Sequence, residues 1–249
     1  MPQTTLPDKA LTQEYTPEPQ AIGVFDSGVG GLTAVRKLVN MLPNERVIYL
    51  GDTARVPYGN KTAATVSAYS QECVQFLLQH NVKLVIVACN TASALALESV
   101  QQISPIPVVG VIAPAAETAL KQTRTWNIGI IGTRATVQSA AYQTAIKNLC
   151  ATQGIEREIR VFAEACPLFV PFAEEGWHYH PATRLVAEEY LAPLKKAAID
   201  TLILGCTHYP MLTDVIQDVL PNVKLIKSGE EAVSVADTIL HKKNINVEQ

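Results

Sequence analysis

Two cysteines, Cys89 and Cys206, each end an apolar run and each is followed by side chains that make hydrogen bonds. Val85-Ile86-Val87-Ala88 leads into Cys89-Asn90-Thr91, and Leu202-Ile203-Leu204-Gly205 leads into Cys206-Thr207-His208. Buried parallel strands deliver polar groups to the carboxyl edge of a sheet in this way. Two strand-end thiols far apart in sequence point to a site built between two related halves. A pair of thiols flanking one small ligand suits removal of a proton from one face of a carbon and its replacement from the other. One cysteine then starts as thiolate and the other as thiol, and the roles exchange for the opposite direction. A free thiol has a pKa of about 8.5, and N–H donors at helix N-termini are expected to lower it toward the working range.

Other groups fall near these two thiols. Asp26, just after the apolar run Ala21-Ile22-Gly23-Val24-Phe25, and His208, two residues after Cys206, are the nearest candidates to adjust the thiol protonation states. Ser27, Asn90, Thr91, Thr133 and Thr207 supply neutral donors able to grip carboxylates and an amino group without a metal. Tyr58 and Gly59, in the polar loop 51–61, could close over a ligand, although a surface turn fits the local sequence nearly as well. The stretch 166–176 has the proline and glycine punctuation of a loop on the cleft side. Of its acids, Glu174 or Glu175 could orient His208, and a solvated acid pair fits equally well. His178 and His180, two apart, share a face only on a strand, so no metal site is assigned to them.

The elements that must carry these groups alternate strand and helix. A strand at 21–25, the glycine-rich turn Asp26-Ser27-Gly28-Val29-Gly30-Gly31-Leu32 and a helix through Leu42 form a place where backbone N–H groups can face a small anion. The turn matches neither Gly-x-Gly-x-x-Gly nor the Gly-Lys-Ser/Thr loop, which disfavours a nucleotide. Further strands are expected at 47–50, 105–112, 159–162 and 223–226, and helices at 62–80, 92–103, 135–149, 181–198 and 229–241. Asn127-Ile128-Gly129-Ile130-Ile131-Gly132-Thr133-Arg134 echoes the start at Ala21, so the second half restarts like the first. The expected fold is α/β: two pseudo-symmetric α/β domains, with mainly parallel sheets facing a shared cleft. The domains are expected at 21–113 plus 228–249 and at 114–227, after a mobile extension over residues 1–20.

Composition narrows the partners. Among 249 residues, 48% are apolar and 17% charged, with a net charge of -3, so there is no basic footprint for nucleic acid. No apolar run approaches the roughly 20 residues that cross a bilayer, and a basic-then-apolar secretory signal is missing, so a cytoplasmic location is expected. Five cysteines with no Cys-x-x-Cys pair argue against a disulfide framework or structural zinc. Cys73 and Cys150 fit helix faces and read as structural. Pyridoxal chemistry is disfavoured, because no lysine stands at a strand edge comparable to the two cysteines.

Asp-Ser-Gly-Val-Gly-Gly-Leu at 26–32, Pro-Tyr-Gly at 57–59, Ala-Cys-Asn-Thr-Ala-Ser at 88–93 and Gly-Cys-Thr-His-Tyr-Pro at 205–210 together resemble the signature set of the glutamate racemases, within the aspartate/glutamate racemase superfamily. The resemblance runs from about residue 21 to 240. It implies interconversion of L- and D-glutamate without a cofactor, supplying D-glutamate for peptidoglycan in bacterial cytoplasm. It implies that Cys89 takes the proton from the D-isomer and Cys206 from the L-isomer. Substrate contacts carry over to Asp26, Ser27, Tyr58, Gly59, Asn90, Thr91, Thr207 and His208, and help in proton transfer to Asp26, Glu174 and His208. It admits a homodimer, and a cell-wall precursor as activator. A racemase for aspartate, a hydrolase or decarboxylase using one thiol, and a binding protein without chemistry are the rival readings.

Overall fold

In the computed structural model, which describes residues 20–247, the strand that leads to each of the two thiols lies inside its own four-stranded parallel sheet. The first sheet is made of β1 (Ala21–Asp26), β2 (Val47–Gly51), β3 (Val82–Val87) and β4 (Val108–Gly110), in the order β2-β1-β3-β4. The second is made of β5 (Asn127–Gly132), β6 (Arg160–Ala165), β7 (Thr201–Gly205) and β8 (Lys224–Lys227), in the order β6-β5-β7-β8. Each half thus lays its strands down in the same relative order, and the echo between Ala21 and Asn127 is an echo of topology. The extension expected over 1–20 lies, except for Gln20, outside the described residues.

Parallel strands need crossovers, and helices supply them. In the first half these are α1 (Leu32–Met41), α2 (Ala63–Leu78), α3 (Asn90–Leu95) and α4 (Leu97–Ile103), and α5 (Ile112–Gln122) leads on to β5. The second half has α6 (Arg134–Gln138), α7 (Ala141–Gln153), α8 (Phe169–Glu174), α9 (Pro181–Lys196), α10 (Thr213–Val219) and α11 (Ser228–Lys243). Among the described residues no helix is long and apolar enough to cross a membrane.

The strands alternate between two buried faces. Ile22, Val24, Leu84 and Ile86 of the first sheet share one core with Ile128, Ile130, Ile203 and Ile226 of the second. Leu38 of α1, Ala115, Ala116 and Ala119 of α5, Ile146 of α7 and Val233 of α11 complete it, so the sheets face each other across a middle layer of helices. On the outer faces, Phe25, Val85 and Val87 pack with Val74 and Leu77 of α2, and Leu202 and Leu204 pack with Leu191 and Leu194 of α9. Burial on both faces explains why Leu84–Val87 of β3 and Leu202–Leu204 of β7 are apolar without polar alternation, and Lys83, near the start of β3, is buried in an ion pair with Glu45.

Four expectations change in detail, the first being the helix expected at 92–103, which is split at Ala96 into α3 and α4. The strand expected at 105–112 shrinks to Val108–Gly110, since Pro105 and Pro107 have no N–H to give a sheet and Ile112 already opens α5. The helix expected at 135–149 is split where Ala140 adopts a left-handed conformation with φ 52°. The loop expected at 166–176 contains α8, which ends at Glu174.

Candidate active site

Cys89 and Cys206 line one cavity of about 360 Å³ at the carboxyl ends of β3 and β7, each only 5–6% exposed. Ser27, Tyr58, Gly59, Asn90, Thr91, Thr133, Glu174, Thr207 and His208 line it too. The structure therefore gathers every expected site residue except Asp26 around a single space. Asp26 is fully buried behind that wall. Its Oδ2 accepts the N–H groups of Gly28 and Gly31, both at 3.0 Å, and so shapes the glycine-rich turn.

The first thiol caps a helix. Cys89 Sγ accepts the N–H of Ala92 at 3.5 Å and lies 3.4 Å from the hydroxyl of Ser27. Next to it, the Asn90 amide is held on both sides, with Nδ2 donating to Ser228 Oγ at 3.1 Å and Oδ1 accepting from the Tyr142 hydroxyl at 2.6 Å. Thr91 and Thr133 meet hydroxyl to hydroxyl at 3.0 Å, joining the two halves. Thr136 reaches both at 3.0–3.3 Å.

On the opposite wall, Cys206 Sγ lies 3.9 Å from Nδ1 of His208, and Nε2 of His208 lies 2.9 Å from Glu174 Oε1. Glu174 is thus the acid that reaches the histidine, which decides between it and Glu175. Gly30 lies so close to this wall that a Cβ there would collide with Thr207 Oγ1 and stand 2.6 Å from His208 Nδ1. Gly59 is similarly tight against Thr133, where a Cβ would meet its Cβ at 2.7 Å. These two positions have room only for glycine. The Tyr58 ring packs on Phe25 and Tyr69, and its hydroxyl donates to Asp52 at 2.5 Å, so the hydroxyl is already engaged away from the thiols.

The electrostatics correct one expectation. Burial drives the Cys89 thiol up to about 11, reinforced by the negative charge of Asp26, and the donors at Ser27 and Ala92 offset only part of this. Cys206 is pushed higher still, again by burial first, with added repulsion from Cys89 and Asp26. Helix-terminal N–H donors do lower these thiols, but desolvation wins because the sulfurs are almost dry. Burial likewise raises Asp26 above the usual carboxylate range, against the pull of the Gly28 and Gly31 N–H groups and of His208.

Sequence reasoning missed Thr136, Tyr142 and Ser228, and also Arg134, which lines the same cavity. Ser228 directly follows strand β8, at the carboxyl edge of its sheet like Asn90 and Thr207, and Thr136 stands three residues after the helix cap Thr133, so both carried a local signal. Tyr142, in mid-chain on an amphipathic helix, carried none. Cys166 is buried with its sulfur near the Glu164 carbonyl, and His180 caps α9 and stacks on Trp177.

A family model for Asp/Glu/Hydantoin racemases matches residues 22–236 of the chain. The chain is 49% identical over 231 residues to a glutamate racemase of Syntrophus aciditrophicus, covering 92% of this chain and 83% of that protein. It is similar in structure to glutamate racemase isoform RacE1 from Bacillus anthracis, with a TM-score of 0.87 and 40% identity, covering 92% of this chain and 85% of that one. A glutamate racemase from Francisella tularensis, solved with D-glutamate, is similar at a TM-score of 0.85 and 39% identity, covering 92% and 84%.

Proposed function

The chain belongs to the Asp/Glu/Hydantoin racemase family and is an amino-acid racemase, and we propose that it interconverts L- and D-glutamate with no cofactor, using Cys89 and Cys206 as its two bases. One observation carries the reading: thiols from two different sheets line the same cavity, whose volume suits a single amino acid. With L-glutamate bound, the Cys206 thiolate takes the proton from Cα and becomes a thiol. The Cys89 thiol then gives its proton to the opposite face of the carbanion and is left as thiolate. The negative charge has crossed the site, and the reverse reaction begins from that state.

Burial favours the neutral thiol at both positions, so the substrate must help to ionise one of them. An α-ammonium group between the sulfurs supplies the opposite charge that stabilises a thiolate. His208, joined to Glu174, faces Cys206 and assists on that side, while Asp26 acts on Cys89 through its charge from behind the wall. Ser27, Asn90, Thr91, Thr133 and Thr207, with the backbone at Tyr58 and Gly59, hold the carboxylates and the amino group.

The same proposal includes a first domain of 21–113 plus 228–249 and a second of 114–227. It also includes a cytoplasmic location and a product destined for peptidoglycan, with a homodimer and a cell-wall precursor as activator following from the family resemblance.

The test is incubation with L-glutamate in deuterated water. D-glutamate carrying deuterium at Cα is expected, with decay of circular dichroism to zero. Cys89→Ala and Cys206→Ala should each abolish racemisation. Absence of deuterium at Cα overturns the reading, and full activity in either cysteine variant overturns the two-base mechanism. Faster turnover of L-aspartate than of L-glutamate reassigns the substrate.

A further inference from the structure

We propose that Tyr142 and Ser228 form a hydrogen-bonded pin that fixes the two thiol-bearing strand ends relative to each other, which makes them positioning residues for the reaction proposed above. Four contacts carry this. The Tyr142 hydroxyl donates to Oδ1 of Asn90, the residue after Cys89, at 2.6 Å. The Tyr142 ring lies against Gly205, the residue before Cys206, where a Cβ would come within 3.2 Å of ring atom Cε2. Ser228 Oγ accepts from Asn90 Nδ2 at 3.1 Å. The same hydroxyl donates to the carbonyl of Leu204, two residues before Cys206, at 3.0 Å. Each of the two side chains therefore touches both strand ends, and all three polar groups are at least 98% buried.

The donor and acceptor pattern is closed. Because the Ser228 proton goes to Leu204, its oxygen can only accept from Asn90, and of the two amide atoms only the nitrogen can donate, so Asn90 turns Nδ2 toward it. The Asn90 oxygen then faces Tyr142, whose hydroxyl can donate. This fixes the amide orientation and leaves its second N–H for the cavity that Asn90 lines. Tyr142 also shares the middle core with Ile146 and the two sheets, so its ring cannot move without disturbing that layer. Transfer of a proton across one carbon needs two sulfurs at a set separation, and a displacement of about 1 Å at a reacting group can cost on the order of 100-fold. Packing of apolar layers is far less directional than hydrogen bonds are.

The experiment follows the joint reach of the two sulfurs by cross-linking, and racemisation separately. Dibromobimane fluoresces once two thiols have captured both of its arms, and Cys89→Ser identifies the signal that belongs to the Cys89 and Cys206 pair. Tyr142→Phe keeps the ring and removes the hydroxyl, and Ser228→Ala removes the bridge. Both variants are expected to form the assigned cross-link several-fold more slowly than the parent. The same variants should lose about tenfold in kcat with KM within about twofold, the scale of one lost buried hydrogen bond. A parent that gives no cross-link dependent on Cys89, or variants that cross-link at the parent rate, overturn the pin. A parent that cross-links, slows on substitution and yet does not racemise glutamate overturns the proposed function while supporting the pin.

Discussion

Nε2 of His208 lies 2.9 Å from Oε1 of Glu174, while the other ring nitrogen faces the sulfur of Cys206 at 3.9 Å. The acid fixes the ring and the ring addresses the thiol, although they come from α8 and from the loop after β7.

Glu174→Gln keeps the volume and the hydrogen bond but removes the charge. Glu174 is 47% exposed at its side chain, so solvent screens the pair, and a loss of about 1 kcal/mol is expected. That is about a fivefold fall in kcat. Circular dichroism assays at several glutamate concentrations check it, and an unchanged kcat would remove Glu174 from the mechanism.

The raised thiols set a pH dependence. Cys89 sits near 11 in the folded protein and near the ordinary thiol value once unfolded, so between those limits the native state holds the proton that the unfolded state has lost. Stability from this group is complete below the ordinary value and falls as pH rises toward 11. Tm measured from pH 8 to 11 should decline, and Cys89→Ser should flatten the decline. A Tm that rises over this window contradicts a dry, protonated thiol.

Asp26→Asn separates charge from shape. The amide oxygen can still accept from Gly28 and Gly31, so the turn should survive with Tm changed by only a few degrees. Removing the negative charge relieves one of the two causes that raise Cys89, so its thiol should ionise at lower pH. Alkylation of Cys89 by iodoacetamide at pH 8, followed by mass spectrometry, should accelerate several-fold. Slower alkylation would show that Asp26 acts some other way.

Gly30→Ala puts a methyl into Thr207 and His208. The wall must shift by several tenths of an ångström or the halves must part, and displaced catalytic groups lose rate steeply. We expect kcat/KM to fall by at least about tenfold. Wild-type kinetics for this variant would mean that the wall yields freely.

Much of this was legible in the sequence because both sheets are buried on two faces. That burial writes the carboxyl-terminal parts of β3 and β7 as plain apolar runs, Leu84–Val87 and Leu202–Leu204, and a polar residue at the end of such a run can only be at the sheet edge. Cys89, Asn90, Cys206 and Thr207 were visible for this reason, and so was the doubled topology. Tyr142 was not, since its function depends on which strand ends lie over its helix, a tertiary fact with no local pattern. The direction of the thiol shift was missed on similar grounds: a helix N-terminus is a sequence signal, whereas how dry a sulfur becomes depends on walls from both halves. The break at Ala140 carries no glycine or proline to announce it.

The helical layer between the two sheets has a further consequence. A chain severed near residue 113 would yield two fragments, each with Ile22 and Leu84 or Ile128 and Ile203 laid bare on a broad oily surface. Neither piece should persist alone in solution, yet mixing them should restore a whole molecule. The ancestral doubling suggested by the repeated strand order is then most simply pictured as two copies that were clamped face to face before they were joined end to end.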